Sequence, residues 1–226
     1  MALAAPGVLL AQASVDVPNV LARNLVLAAP TIWNDRSCLA VELTDEVQAH
    51  VVATRGGNGP SYAIVDRDFV DGVIEVDLAG ELTNKGGADA RGFVGVAFHI
   101  DADNRRYEAI YLRMTNGRLN RPQPPAPRID RAIQYVAHPD FHFNVSRARV
   151  PGRYERGADV ALGRWHHLRI EIAGPRARAL LDGNEALVVD DLHYGGRSGS
   201  VGLFVDDGSR GYFHQLQVVR AAGADH

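Results

Sequence analysis

The sequence has very little cysteine and almost no lysine. Cys38 is the single cysteine among 226 residues, which excludes an intrachain disulfide and a thiolate metal cluster. Lys85 is the single lysine, so nearly all of the 24 basic residues are arginine. Arginine recognises planar anions well, but we attribute this bias to the base composition of a bacterial genome.

The sequence also has no long apolar run, no strong charge and no internal repeat. No stretch approaches the ~20 apolar residues that a membrane helix needs, so no membrane span is expected. The net charge of −3, without a basic stripe interleaved with aromatics, argues against a nucleic-acid partner. Hydrophobic residues make up 46% and charged residues 23%, which is typical of a globular protein with a core.

The N-terminus carries a partial export pattern. The segment MALAAPGVLLAQAS ends in the small-x-small triplet at residues 11–13, but it has no basic region before the apolar run. It is either the remnant of an export signal, which would place the protein in the periplasm or outside the cell, or a disordered arm, which leaves a cytoplasmic location open. We expect an arm over residues 1–30, one domain over 31–220 and a tail over 221–226.

What the sequence does contain is a series of short β-rich runs closed by Gly, Asn, Asp or Pro, with little helical periodicity. The predicted strands are Leu39–Leu43, Gln48–Thr54, Ser61–Val65, Gly72–Leu78, Gly92–Ile100, Tyr107–Met114, Ala132–Ala137, His166–Ala173, Arg176–Leu181, Glu185–Asp190, Gly199–Val205 and Gly211–Val219. So many strands do not fit one open sheet. They predict an all-β, two-sheet antiparallel jelly-roll sandwich.

Turns and long connections divide these strands. Asp182-Gly183-Asn184 predicts a tight hairpin, because these residues tolerate positive φ. Residues 114–131, with four prolines, and residues 138–159 form two unusually long connections, which in compact domains are usually functional or mobile. In the second connection we expect Glu155 to face solvent, the alternative being that it approaches the concave face.

Alternation along three strands sorts their side chains onto two faces. The core sets are Ile74, Val76, Leu78; Val94, Val96, Phe98, Ile100; and Ile110, Leu112, Met114. The opposite sets are Glu75, Asp77; Gly95, Ala97, His99; and Tyr107, Ala109, Tyr111, Arg113. If the three strands share one sheet, the opposite face has small residues in its middle and polar and aromatic residues around them. This pattern predicts a floor for a sugar, the alternative being an ordinary solvated face.

Several ionisable residues stand out against this pattern. Glu108 breaks the alternation by falling on the core side, where a carboxylate must be paired, turned out or functional. Gln134, His138, Asp140 and His142 follow at two-residue spacing, which would align them in an extended chain. His138, Asp140 and His142 could hold a divalent metal ion or provide a general base, although structural or surface roles are the alternative.

One acidic motif does not fit the chemistry that it suggests. Glu75, Asp77 and Glu81 invite comparison with the ExDxE and ExDxxE strands of laminarinase and lichenase glycosidases. The spacing to Glu81 is one residue too long, and Gly80 indicates that the strand has ended. Glycosidase mechanisms need a defined carboxylate separation, so we reject this assignment.

From about Val65 to Val219 the chain resembles the 3-keto-disaccharide hydrolase domain family and the laminin G-like domains. The segments that carry the resemblance are FVDGVIEVDL, GFVGVAFHID, RYEAIYLR, GRWHHLRIEI, ARALLDG and GSVGLFVDDGSRGYFHQLQV. The resemblance implies a concanavalin A-like sandwich and cleavage of oxidised glycosides assisted by acid/base residues or a metal. Glu108 would match the family's Tyr-Glu pair, whereas the chain departs from the family pattern at His99.

These observations lead to a glycoside hydrolase or lyase as the main hypothesis, with its site on the concave sheet beneath the two long connections. Glu108, His138 and His99 would be the catalytic candidates. The substrate-binding candidates are Tyr107, Tyr111, Arg113, Gln134, Glu75 and Asp77. The alternatives are a non-catalytic carbohydrate-binding or adhesion module, which needs no acid/base pair, and an accessory interaction domain.

Overall fold

The computed structural model describes residues 16–55 and 59–221, so the predicted export pattern of residues 1–13 lies outside the described residues. The strands are β1 (Ala22–Asn24), β2 (Val26–Trp33), β3 (Arg36–Leu43), β4 (Tyr62–Phe69), β5 (Gly72–Leu82), β6 (Phe93–Ile100), β7 (Tyr107–Arg113), β8 (Ile133–His138), β9 (Glu155–Arg156), β10 (His166–Ala173), β11 (Arg176–Leu181), β12 (Asn184–Val189), β13 (Gly199–Val205) and β14 (Ser209–Arg220). Two α-helices, α1 (Asp45–Thr54) and α2 (Phe143–Arg149), and two short 3-10 helices, Met114–Asn116 and Arg128–Asp130, lie between the strands in the described part of the chain.

The strands form two seven-stranded sheets. The first sheet has the order β1-β4-β13-β6-β7-β8-β9, and the second sheet has the order β12-β11-β10-β5-β14-β3-β2. Every pair of neighbouring strands is antiparallel. The predicted two-sheet jelly-roll sandwich is therefore confirmed. Both sheets contain strands distant in sequence, as such a sandwich requires.

The main core lies between the two sheets. It contains the predicted inward sets of β5 and β7, together with Val94, Val96 and Phe98 of β6. Burial of each such side chain contributes about 1.5–3 kcal/mol to stability. A second buried cluster covers the opposite face of the first sheet and is rich in aromatic residues. Its members are Tyr62, Ile64, Ala97, Ile100, Tyr107, Ala109, Tyr111, Val136 and Phe204.

A β-bulge in β6 changes the predicted faces of two residues. His99 has φ 49°, and the pairing of β6 with β13 shifts between Ser200 and Gly202. An extra residue in one strand reverses the alternation beyond it. His99 consequently points into the main core, and Ile100 joins the second cluster. The predicted alternation was wrong for both residues, because the bulge shifts them to the opposite faces.

The segment predicted as a strand over Gln48–Thr54 is instead part of α1. The hydroxyl of Thr44 accepts a hydrogen bond from the backbone N–H of Val47 at 3.3 Å, and Asp45 and Glu46 occupy the first turn. Both features stabilise a helix N-terminus. The β-branched residues of this segment gave a strand pattern, but the capped, acidic first turn determines the structure.

The sandwich begins before the predicted boundary at Thr31, because β1 and β2 already pair with β4 and β3. The hairpin at Asp182 and Gly183 is confirmed, with φ 49° and 81°. No helix among the described residues is both long and apolar enough to cross a membrane.

Candidate functional site

A pocket of about 470 Å³ opens at one end of the first sheet, beside Tyr111 and Arg113 of β7. Both long connections contribute to its wall, as do the end of α1 and the turn between β13 and β14. We call it the arginine pocket, because six arginines line it. These are Arg55, Arg91, Arg113, Arg128, Arg131 and Arg147. The other lining residues include three aspartates, Asp89, Asp206 and Asp207, and three aromatic residues, Phe93, Tyr111 and Phe143.

Arg113 lies at the bottom of the arginine pocket and is 5% exposed. Its guanidinium donates to the Tyr111 hydroxyl at 3.0 Å and to Gln134 Oε1 at 3.1 Å. Tyr111 and Arg113 share one face of β7, and Gln134 lies opposite Tyr111 in β8. Strand pairing thus brings together three of the predicted substrate-binding residues.

Glu155 is a buried carboxylate close to three arginines of the pocket. Arg147 donates to both of its oxygens, at 2.6–3.0 Å, and Arg131 Nε lies 3.4 Å from Oε1. Arg113 Nη1 lies 4.0 Å from Oε2. The expectation that Glu155 faces solvent is therefore wrong, because its side chain is 6% exposed. One carboxylate is shared by three guanidinium groups.

Aromatic rings hold the guanidinium of Arg113 in place. Its central carbon lies 5.1 Å from the ring centre of Tyr111, 5.6 Å from that of Phe143 and 5.9 Å from that of Phe93. Burial, the largest cause, lowers the pKa of Arg113 and raises that of Tyr111. Cation–π contacts of this kind stabilise a charge that has left water.

The aspartates on the opposite wall are engaged by amide donors. Asp207 Oδ1 accepts from Gln48 Nε2 at 2.7 Å and from the backbone N–H of Gly87 at 3.1 Å. Asp206 Oδ1 accepts from the backbone N–H of Asp207 at 2.8 Å. These bonds link α1 and the segment after β5 to the turn between β13 and β14. They give this wall a defined shape.

Glu108 and His99 form a buried pair in the main core. Glu108 Oε2 lies 2.6 Å from His99 Nδ1, and the Tyr135 hydroxyl donates to Oε1 at 2.6 Å. His99 Nε2 lies 2.8 Å from the carbonyl oxygen of Val70. Neither the Glu108 nor the His99 side chain has exposed surface, and neither lines the arginine pocket.

His138 lies apart from this pair, on the other face of the first sheet. Its ring stacks on Tyr107 with 5.0 Å between the centres, and its Nδ1 lies 3.0 Å from His142 Nε2. Burial and the nearby His138 lower the pKa of His142 to about 4. The described residues contain no group of three His, Cys, Asp or Glu side chains placed to hold a metal ion. The predicted set of His138, Asp140 and His142 is therefore not assembled.

Glu75 and Asp77 do not share a sheet with Tyr107, Tyr111 and Arg113. The prediction that these side chains form one polar face was therefore wrong. They lie on β5 in the second sheet, because β5 pairs with β10 and β14 and not with β6. Asp77 contacts Arg36 and His167, both at 2.8 Å, and Glu75 pairs with Arg169. These charges form a network on the second sheet, and none of these residues lines the arginine pocket.

Sequence reasoning missed Arg128, Arg147 and Phe143 of the two long connections, and it expected Glu155 to face solvent. The sequence indicated only that the two long connections cover the site, and not which of their side chains line it. Connections without regular alternation do not reveal which side chains turn inward. Both connections do line the arginine pocket, but the residues that they contribute were not predicted.

Comparison with solved structures identifies proteins of similar fold. A carbohydrate-binding module, CBM66 from Bacillus subtilis, aligns with 86% of this chain and 94% of its own, at 12% identity and a TM-score of 0.52. A protein of unknown function with a galectin-like fold from Bacillus subtilis aligns with 89% of this chain and 97% of its own, at 13% identity and a TM-score of 0.44. No protein-family model matches the chain. No curated protein matches it either. The first of these likenesses supports the jelly-roll sandwich as the fold of the chain.

Proposed function

We propose that this protein binds a carbohydrate in the arginine pocket and does not itself cleave it. The single observation that carries the proposal is the composition of the pocket wall, where aromatic rings and fixed hydrogen-bonding groups face one cavity. A volume of about 470 Å³ falls in the size range of small-molecule sites. The pocket is large enough for a short saccharide.

The chemistry of the wall matches that of a sugar. A pyranose has apolar C–H faces and a rim of hydroxyl groups, so it binds where rings and polar groups alternate. Phe93, Tyr111 and Phe143 provide the rings. Asn116, Asp207 and the arginines provide donors and acceptors. Arg113 and Tyr111, which fix one another, would hold the saccharide at the bottom of the pocket.

The enzymatic alternative needs an acid and a base at the bound substrate. The three predicted catalytic residues lie in two separate places, with Glu108 and His99 in the main core and His138 on Tyr107. None of the three lines the arginine pocket. Their catalytic roles, and cleavage of an oxidised glycoside as in the 3-keto-disaccharide hydrolases, remain predictions. The likeness in fold to a carbohydrate-binding module supports binding.

The test is titration of the protein with a panel of neutral and acidic oligosaccharides, followed by product analysis of the same samples. Phe143→Ala removes a ring from the pocket wall and should weaken binding about tenfold, which corresponds to about 1.4 kcal/mol. Leu27→Ala, at an exposed apolar residue of β2, is the matched control and should bind normally. Circular dichroism checks that both variants fold. Equal binding by Phe143→Ala, or the appearance of cleaved product, would contradict the proposal.

A further inference from the structure

The charges around the arginine pocket do not balance. Six arginines and three aspartates line it, and Glu155 lies buried beneath it. Glu155 is within 4.0 Å of Arg113, Arg131 and Arg147, so a single negative charge serves three positive ones. The hydrogen bonds of Asp207 come from Gln48 and Gly87, which are neutral.

Arg128 is the arginine for which this imbalance is clearest. Its Nε donates to Asn116 Oδ1 at 3.1 Å and its Nη2 to Thr115 Oγ1 at 3.0 Å. Both acceptors are neutral, and the residues that the structure describes place no carboxylate within 4.0 Å of its guanidinium. Asn116 is itself buried and donates to the carbonyl oxygen of Arg131 at 3.0 Å. Arg128 is thus held in place with N–H groups still available.

Arg91 adds a second positive charge near Arg128. Its Nη1 donates to the carbonyl oxygens of Ala88 and Ala90, both at 2.8 Å. Its carboxylate partner, Asp89, lies at 3.4 Å with a side chain that is 80% exposed, so this ion pair is weak in water. Arg91 and Arg128 line the same pocket, and burial, followed by the charge of Arg91, lowers the pKa of Arg128.

We propose that the ligand of the arginine pocket is an anionic saccharide, whose carboxylate or sulfate group binds between Arg128 and Arg91. The inference rests on the proposed function and adds the chemical class of the sugar. A planar guanidinium offers two parallel N–H donors that match the oxygens of such a group. The anion would supply the negative charge that the protein lacks there, and the sugar ring would pack on Phe93, Tyr111 and Phe143.

The experiment is calorimetric titration with glycan pairs that share one backbone. Each pair has an acidic member, either a uronate or a sulfate ester, and a neutral member, either the uronate methyl ester or the unsulfated sugar. We expect an acidic member to bind at least about tenfold more tightly than its neutral partner. The uronate and sulfate pairs show which anion is preferred. Raising the salt concentration from about 0.05 M to about 0.5 M should reduce the difference.

The variant Arg128→Gln should abolish most of the preference for the acidic member, and Arg91→Gln provides a second test if the first variant does not fold. Arg176→Gln is the matched control, because Arg176 forms an exposed ion pair with Asp190 on the second sheet. Equal binding of acidic and neutral partners would overturn this inference and leave the proposed function intact. If no member of any pair binds, both proposals are wrong.

Discussion

Arg147 binds both carboxylate oxygens of Glu155, with its Nη2 at 2.6 Å from Oε2 and its Nε at 2.9 Å from Oε1. This bidentate pair joins α2 to β9. Arg113 of β7 and Gln134 of β8 lie next to it, so the pair also attaches the second long connection to the first sheet. The wall of the arginine pocket therefore depends on a carboxylate that a ligand does not need to touch.

Removing the charge of Glu155 should destabilise the protein. In Glu155→Gln, three arginines would lose their shared carboxylate, and breaking a buried ion pair from one side typically costs about 3–5 kcal/mol. We expect the free energy of unfolding, measured with urea, to fall by about 3 kcal/mol. The matched control is Glu185→Gln, because Glu185 forms an exposed ion pair with Arg178 and its loss should cost less than about 1 kcal/mol. Equal effects of the two variants would contradict the role assigned to Glu155.

The buried position of Glu108 leads to a second prediction. In Glu108→Gln one of the two buried carboxylate oxygens, which contact His99 Nδ1 and the Tyr135 hydroxyl at 2.6 Å, is replaced by an NH2 group, so the buried hydrogen bonds of this pair must rearrange. We expect Glu108→Gln to lower the free energy of unfolding by about 2 kcal/mol, as measured by urea titration. Saccharide binding at low temperature, where the variant is folded, should be retained.

The catalytic hypothesis for Glu108 predicts a loss of activity. It requires a glycoside that wild-type protein cleaves and that Glu108→Gln does not, while the variant stays folded. Tyr135→Phe removes the neighbouring hydroxyl without changing a charge. If Glu108 stabilises the main core, Tyr135→Phe should also be less stable than the wild type.

His142 should make the stability of the protein depend on pH. Burial and His138 lower its pKa from 6.5 to about 4 in the folded protein, whereas the unfolded chain takes up a proton near the ordinary value. The unfolded state binds more protons in this window, so the free energy of unfolding falls as the pH drops from 6.5 to about 4 and levels off below. Allowing for partial exposure, the loss is on the order of 2 kcal/mol.

The measurement is urea unfolding at several pH values for wild type and His142→Asn. The variant has no titrating ring at this position, so its curve should be flatter between pH 6.5 and about 4. Parallel curves for the two proteins would show that His142 does not titrate as inferred.

The bulge at His99 makes Gly199 sensitive to substitution. A Cβ at Gly199 would lie 2.5 Å from the carbonyl carbon of His99 and 2.7 Å from its Cα, which are backbone atoms that cannot rotate away. We expect Gly199→Ala to cost about 2 kcal/mol, measured by thermal or urea unfolding. Gly59→Ala is the control, because its Cβ would make an ordinary 3.6 Å contact with Leu25. A stable Gly199→Ala variant would show that the bulge can relax.

Much of the strand pattern could be predicted from local sequence. The predicted strands His166–Ala173, Arg176–Leu181 and Gly199–Val205 have the bounds that the structure gives them. Alternation and turn residues act over a few neighbours, so they are visible in the sequence. The same locality explains why Tyr111 and Arg113, two residues apart on one strand, were predicted to share a face and do so.

The sequence by itself determined the class of fold, the alternation within regular strands and the two long connections that border the arginine pocket. The tertiary structure decided which strands share a sheet, so Glu75 and Asp77 lie away from Arg113. It also turned His99 into the core through a bulge and buried Glu155 under three arginines. These outcomes depend on pairing and charge neutralisation between residues far apart in the chain, and no local pattern records such contacts.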